Sequence, residues 1–137
     1  MTEDTESTRE SQETGAARYV FGVRVRLEAD ESGVWVEPAT VETKLYREAD
    51  PPGEEGWLFF RDNCWHGELA DERFMRSELE ETLGVPVESV DFRELRTDQA
   101  YLDALKAEID ENLDAFNAES VTAVLHSYLG SSIHVVE

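Results

Sequence analysis

The chain has 137 residues, enough for one domain with a hydrophobic core and too few for two domains of ordinary size. Apolar residues make up 40% and charged residues 32%, so the composition predicts a folded chain rather than an intrinsically disordered one. Aspartate and glutamate outnumber lysine and arginine by 32 to 12, and the net charge of -20 disfavours binding to nucleic acid or to an anionic membrane.

The acidic residues are spread along the chain, and only Lys44 and Lys106 are lysines among the 12 basic residues. At about 1 M salt the Debye length falls to about 3 Å, so the self-repulsion of such a surface is screened. The bias therefore predicts adaptation to a high-salt cytoplasm, in which solvent cations accompany the carboxylates.

A single cysteine, Cys64, excludes an intramolecular disulfide and favours a reducing compartment. The N-terminus has no apolar export segment, and no run approaches the ~18 apolar residues of a membrane span. We therefore expect a soluble, cytoplasmic protein.

Residues 1–16 are polar and acidic, and they predict a disordered tail before a single domain over residues 17–137. From Arg18 onward, apolar and polar residues alternate, which predicts a first strand. The segment 33–48 predicts a long second strand, in which Pro38 marks a bulge or an edge position.

The stretch WLFFRD, residues 57–62, predicts a third strand that completes an antiparallel meander. Trp57 and Phe59 would then lie on one face of the sheet, and Leu58 and Phe60 on the other. The second face would also collect Val20, Val34, Val36 and Tyr46. So much apolar surface predicts that a second subunit or a partner closes this face.

Three helices are predicted by apolar spacing in the second half of the chain. The first is capped by Asp71 and ends at Gly84, with an apolar stripe of Phe74, Met75, Leu79 and Leu83. The second begins at Thr97 or Asp98, with a stripe of Tyr101, Leu102, Leu105, Ile109, Leu113 and Phe116. The third contains Val121, Val124, Leu125 and Tyr128 and ends at Gly130.

Two further strands are predicted, in VDFREL (residues 90–95) and in the terminal IHVVE. The element order is strand, strand, strand, helix, strand, helix, helix, strand. This order predicts an α+β fold, with an antiparallel sheet of four to five strands and three helices packed mainly on one face.

The segment RDNCWHGEL, residues 61–69, holds the only cysteine. Cys64 and His66 are nucleophile and base types, but nothing around them matches a cysteine-hydrolase pattern. Zinc would have Cys64, His66, His126 and His134 as candidate ligands, without any CxxC or HxxxH pair. We therefore predict no catalytic residue, no metal site and no cofactor.

Arg24, Arg26 and Arg61 form a candidate anion-binding set, because guanidinium groups bind carboxylate or phosphate in a bidentate manner. The alternative, which we favour, is cross-strand pairing of these arginines with neighbouring acids. The acids nearest in sequence are Glu28, Glu37 and Glu42.

Several stretches carry a family resemblance. The run from Val36 to Leu69, then VESVDFREL, DAFNAESV and LGSSI, resembles the LWR-salt proteins, small acidic proteins of halophilic archaea. The likeness extends from Tyr19 onward. The family is named after a Leu-Trp-Arg triplet, and Cys64, Trp65 and His66 stand in its place. The resemblance implies a haloarchaeal cytoplasm and no established activity, and it gives Cys64 an apolar packing role.

These observations favour a non-catalytic domain that acts by association with itself or with another protein. The predicted contact surface contains Leu58, Phe60, Arg61, Asp62, Trp65, Gly67 and Glu68. The alternative function is a small-anion or small-molecule binding protein, or an enzyme, that uses Arg24, Arg26, Arg61 and His66.

Overall fold

The computed structural model describes residues 15–136. The predicted disordered tail therefore lies outside the described residues except for its last two positions. Ala16 is docked, because its backbone N–H donates to the Asp98 carboxylate at 2.9 Å and its carbonyl accepts from the Asp98 N–H at 3.0 Å.

The described residues form six strands and five helices. The strands are β1 Ala17–Arg26, β2 Thr40–Glu48, β3 Cys64–Trp65, β4 Glu68–Leu69, β5 Val87–Thr97 and β6 Ile133–Val135. The helices are α1 Phe59–Asn63, α2 Glu72–Leu83, α3 Gln99–Glu111, α4 Leu113–Phe116 and α5 Val121–Tyr128. The fold is α+β.

The main sheet has four strands in the order β2-β1-β5-β6. β1 pairs antiparallel with both β2 and β5, whereas β6 runs parallel to β5. The prediction of a purely antiparallel sheet is therefore wrong at β6. A parallel pair needs a crossover connection, and the helices α3, α4 and α5 provide it.

The alternation predicted for the first strand is confirmed. Tyr19, Phe21, Val23 and Val25 are buried in one core cluster, to which β5 and all five helices contribute side chains or packed neighbours. This inner face of the sheet is the helix-covered one.

WLFFRD is not a strand, which corrects the predicted meander. The Trp57 N–H bonds to the Glu54 carbonyl at 3.0 Å, and α1 then starts at Phe59. Phe60 is 0% exposed and stacks on the Phe116 ring at 5.7 Å. A short helix buried in the core can turn consecutive apolar residues inward, and period-two reasoning cannot recognise this case.

The second strand is shorter than predicted. β2 begins only at Thr40, and Val34–Val36 lies outside any strand, in the long connection between β1 and β2. The Leu27 N–H closes this connection by donating to the Ala39 carbonyl at 2.7 Å. Pro38 therefore precedes the strand, and β2 is an edge strand.

The outer face of the sheet carries mainly polar side chains of β1, β2 and β5. Val20 is buried there, between Tyr46 on β2 and Glu94 on β5. The Arg18 guanidinium lies 5.3 Å from the centre of the Tyr46 ring. Arginine stems cover apolar surface while their charged ends stay in water. The outer face therefore does not require a second subunit to bury Val20.

The capping predictions are confirmed. Asp71 accepts from the Phe74 N–H at 3.0 Å, and Asp98 accepts from the Tyr101 N–H at 2.7 Å. Gly84 ends α2 with a φ of 75°. These signals are local, so the sequence alone can predict them.

The apolar stripes are only partly buried. In α2, Met75 and Leu79 are buried, whereas Phe74 and Leu83 are exposed. The predicted second helix is interrupted at Asn112, whose side-chain amide donates to the Glu108 carbonyl at 2.8 Å. The last two stripe residues, Leu113 and Phe116, therefore belong to the separate helix α4.

Candidate functional site

The segment RDNCWHGEL contains the end of α1, followed by a packed hairpin. β3 and β4 pair Cys64 with Leu69 and Trp65 with Glu68, and they leave a two-residue turn at His66 and Gly67. Both turn residues have positive φ, 56° and 79°, as a type I′ turn requires. Glycine meets this requirement without strain, and His66 adopts it as a less common non-glycine case.

The turn is attached to the end of α5. The His66 N–H donates to the Ser127 carbonyl at 2.7 Å, and the Gly67 N–H donates to the Tyr128 carbonyl at 3.1 Å. The last carbonyls of a helix have no partner within the helix. The hairpin therefore completes hydrogen bonding at the C-terminal end of α5, which is a structural role.

Cys64 belongs to the core. Its side chain is 1% exposed, and burial raises the pKa of the Cys64 thiol from 9.0 to about 12. A nucleophilic cysteine requires the opposite environment, one that lowers the pKa. The His66 ring instead contacts the Trp65 ring, with 4.6 Å between ring centres. The pair is therefore not arranged as a nucleophile and base.

The candidate zinc ligands are not brought together. His126 is exposed on α5 and His134 is exposed on β6, whereas Cys64 is buried. Across residues 15–136, no group of three or more His, Cys, Asp or Glu side chains is arranged to hold a metal ion.

The three candidate anion-binding arginines lie on different parts of the molecule. Arg24 and Arg26 are on the outer face of the sheet, and they pair with Glu42 and Glu88 respectively. The Glu42 pair is one that the sequence predicted, whereas Glu88 on β5 was not foreseen.

Arg61 lies on α1, on the helix side of the sheet. It pairs with Asp62 at 3.0 Å and reaches the Ala115 carbonyl at 3.4 Å. Each of the three guanidinium groups thus has a carboxylate partner, and the set does not converge on one pocket.

The predicted contact surface is divided by burial. Phe60 is fully buried and forms no outer surface, whereas Leu58 is partly buried and packs against the core. Asp62, Trp65 and Glu68 are exposed. Trp65 is 49% exposed and meets Tyr128 edge to face, with 5.3 Å between ring centres.

Trp65 borders a groove of about 590 Å³ beside α4 and α5. Its lining includes Phe116, Glu119, Ser120 and Tyr128. Glu119 is the only charged residue in that lining, so the groove is mainly aromatic and neutral polar.

Exposed apolar residues lie in the connection from β1 to β2. Trp35 is 74% exposed, and it is flanked by exposed Val34 and Val36. Val41 and Tyr46 are also exposed, on opposite faces of the adjacent edge strand. Large apolar patches at a surface indicate interaction sites more often than single exposed residues do. We call residues 34–46 the edge segment.

Sequence reasoning missed this segment because it placed Val34 and Val36 within a strand on a covered face. One signal was available. Val34, Trp35 and Val36 are three consecutive apolar residues shortly before Pro38, and a proline there separates them from the strand that follows.

Comparison with known families identifies the chain. The model of the LWR-salt protein family matches residues 15–137, nearly the whole sequence. The chain belongs to the LWR-salt family. The match includes both the RDNCWHGEL hairpin and the edge segment. No curated protein and no solved structure matches the chain.

None of the helices within residues 15–136 is long and apolar enough to cross a membrane.

Proposed function

We propose that this LWR-salt protein is a non-catalytic domain that acts by association with protein in a high-salt, haloarchaeal cytoplasm. The observation that supports the proposal is the exposed edge segment, in which Trp35 is 74% exposed. The proposed contact surface is the edge segment and not the one predicted from the sequence, because Phe60 of the predicted surface is buried and cannot take part.

The chemistry of the segment favours protein contact over a small ligand. Tryptophan is enriched among the residues that contribute most to binding energy at protein interfaces. A ligand pocket, by contrast, is concave and surrounds its ligand. Trp35 is too exposed to line an enclosed pocket. Trp65 and its groove are a second exposed aromatic position, on the helix side of the molecule.

The acidic surface has a separate role in this proposal. A net charge of -20 keeps copies apart in dilute salt, and molar salt screens that repulsion to a range of about 3 Å. Short-range apolar contacts can then hold the assembly.

The test is the size of the assembly in a native high-salt extract. We expect the wild-type chain to elute at a mass above that of a monomer, and Trp35→Ser to elute as a monomer. Phe74→Ser is the matched control, because Phe74 is also exposed, at 54%, but lies on α2. A wild-type chain that elutes as a monomer, or equal losses in the two variants, would contradict the proposal.

A further inference from the structure

The outer edge of β2 is a long row of hydrogen-bonding groups that no other strand within residues 15–136 pairs with. The opposite edge of the sheet, β6, has only three residues. Natural sheets usually protect an edge by keeping it short or by covering it. β2 has nine residues, seven of them exposed, and no strand within residues 15–136 covers its outer edge.

The direction of these backbone groups follows from the hydrogen bonds at the two ends of β2. The Leu27 N–H donates to the Ala39 carbonyl at 2.7 Å, and the Ala49 N–H donates to the Ala17 carbonyl at 3.0 Å. Odd-numbered positions of β2 therefore bond toward β1. In an antiparallel ladder the alternate positions bond outward. These outward positions are Thr40, Glu42, Lys44, Tyr46 and Glu48.

The first half of the edge is open on the side that faces the helix layer. Val41 and Thr43 lie on that side, because they pair with the core residues Val25 and Val23 of β1. Both side chains are exposed, so a strand added there would meet no helix of the described residues. At the other end of β2, α1 lies close by, and the Arg47 guanidinium is 4.5 Å from the centre of the Phe59 ring.

The charge of β2 differs from that of the whole chain. The strand has two acids, Glu42 and Glu48, and two bases, Lys44 and Arg47, so it is neutral in a protein with a net charge of -20. A basic partner would gain little from a neutral edge. A second copy of the same edge meets no local repulsion.

We propose that a second copy of the chain pairs with β2 through its own β2, antiparallel and about a two-fold axis at Thr43. The proposal rests on the association proposed above and specifies its partner and geometry. In this register Glu42 faces Lys44 of the other copy, and Lys44 faces Glu42, so these two of the three outward charged positions meet an opposite charge. Val41 faces Leu45 on the helix side.

The neighbouring registers are worse electrostatically. An axis at Glu42 places two Glu42 side chains opposite each other, and an axis at Lys44 does the same for the two lysines. An axis at Leu45 places Glu42 opposite Glu48. Like charges directly opposite each other destabilise a strand pair. A lysine on an edge strand usually discourages pairing, and here it selects one register.

The dimer would be a continuous eight-stranded sheet. A two-fold axis perpendicular to the sheet keeps both helix layers on the same side. Residues 34–36 are exposed and precede β2 in the chain, so we expect them near the two ends of the new strand pair. Their apolar surface adds to the ladder hydrogen bonds at the margins of the interface.

Cysteine cross-linking in about 2 M KCl tests the register. Residues opposite each other at a pair without ladder hydrogen bonds have Cα atoms about 4.5 Å apart, within the range of a disulfide. Thr43 occupies such a position at the axis. We expect purified Thr43→Cys to form a disulfide-linked dimer under mild oxidation. Lys44→Cys is the control, because its two sulfurs would lie beyond that range.

Charge exchange provides an independent second measurement. We expect Lys44→Glu alone and Glu42→Lys alone each to weaken self-association by about tenfold or more, because each variant places like charges opposite each other. An equimolar mixture of the two restores opposite charges at both positions and should dimerise. Sedimentation at high salt measures all three samples.

Several outcomes would overturn the inference. One is a Thr43→Cys protein that stays monomeric while the extract assembly still depends on Trp35, because the edge segment would then bind a different protein. Equal cross-linking of Lys44→Cys would place the axis elsewhere. A mixture of charge variants no better than either variant alone would exclude the Glu42–Lys44 pairing. A monomeric wild-type chain in the extract would instead refute the association itself.

Discussion

At the scale of single residues, burial determines the chemistry that Cys64 can perform. Burial raises the pKa of its thiol to about 12, and the side chain lies among core residues such as Phe60 and Val124. The thiol is therefore protonated across the physiological range. Because the thiolate is the reactive form, the native protein should resist thiol reagents.

We predict that Cys64 reacts with a disulfide reagent at pH 8 only after unfolding. The exposed helix position Ser77 supplies the control, because Ser77→Cys should add one thiol that reacts quickly in the native state. The absorbance of the thiolate released from the reagent, measured with and without urea, gives the number of reactive thiols in each protein. Fast reaction of Cys64 in native protein would contradict its burial.

Replacement of Cys64 should have a small effect on the fold. We expect Cys64→Ala to keep the native structure, with a loss of roughly 1 kcal/mol in the free energy of unfolding from the small cavity.

The pKa of the Cys64 thiol also makes the free energy of unfolding depend on pH. The thiol pKa is higher in the folded state than in the unfolded state, so its stabilising contribution is full below about pH 9 and is lost as pH rises toward 12.

Urea unfolding between pH 8 and pH 10 measures this contribution. The free energy of unfolding of the wild type should fall more steeply with pH than that of Cys64→Ala. Tyr19 and Tyr101, whose pKa values are also raised by burial, act in the same direction in both proteins. Identical slopes for the two proteins would contradict the assignment.

Phe60 and Phe74 are the same residue type in opposite environments, so they allow a direct comparison of a buried and an exposed position. Phe60 is 0% exposed and contacts three aromatic rings, whereas Phe74 is 54% exposed. We predict that Phe60→Ala lowers the free energy of unfolding by about 3–5 kcal/mol. Phe74→Ala should change it by less than about 0.5 kcal/mol. Urea melts of both variants give the comparison, and similar losses would show that Phe60 is not a core residue.

At the scale of elements, Asp98 joins the start of β1 to the start of α3. One carboxylate oxygen caps α3 through the Tyr101 N–H, and the other accepts from the Ala16 N–H. Asp71 has the same capping role in α2 with a single bond, to Phe74. Comparing the two aspartates therefore distinguishes the effect of a helix cap alone from that of a cap with an additional tertiary hydrogen bond.

We predict that Asp98→Ala is more destabilising than Asp71→Ala. Loss of a cap costs about 1 kcal/mol, and loss of the second hydrogen bond at Asp98 adds about 1 kcal/mol. Urea midpoints of the two variants test the difference. Equal midpoints would mean that the Ala16 contact contributes nothing to stability.

At the scale of the whole molecule, charge and fold are coupled through the solvent. Six arginines make ion pairs within residues 15–136, mostly with strongly exposed partners, and such pairs contribute little each. The net charge of -20 remains. Self-repulsion of that charge opposes the compact state unless salt screens it.

We predict that the urea midpoint rises when KCl is increased from about 0.1 M to about 2 M, because the Debye length falls from about 10 Å to less than 3 Å. Sucrose is the control, since it favours burial by exclusion from the surface but screens no charge. Equal midpoints at the two salt concentrations would remove the argument that the acidity is an adaptation to salt.

The features that the sequence alone determined are those that depend on neighbours along the chain. The alternation from Tyr19 to Val25, the caps Asp71 and Asp98 and the glycine at the end of α2 are all local patterns. The net charge is likewise independent of the fold. The α+β class followed from the order of these local elements.

The tertiary structure decided what depends on distant contacts. WLFFRD became a turn and a helix because the aromatic side chains of α4 and α5 surround it, and a run of apolar residues does not specify its own period. β6 became parallel to β5 because a helical crossover returns the chain to that edge. The free edge of β2 and the exposure of Trp35 depend on where the sheet ends, and no pattern within the segment itself contains that information.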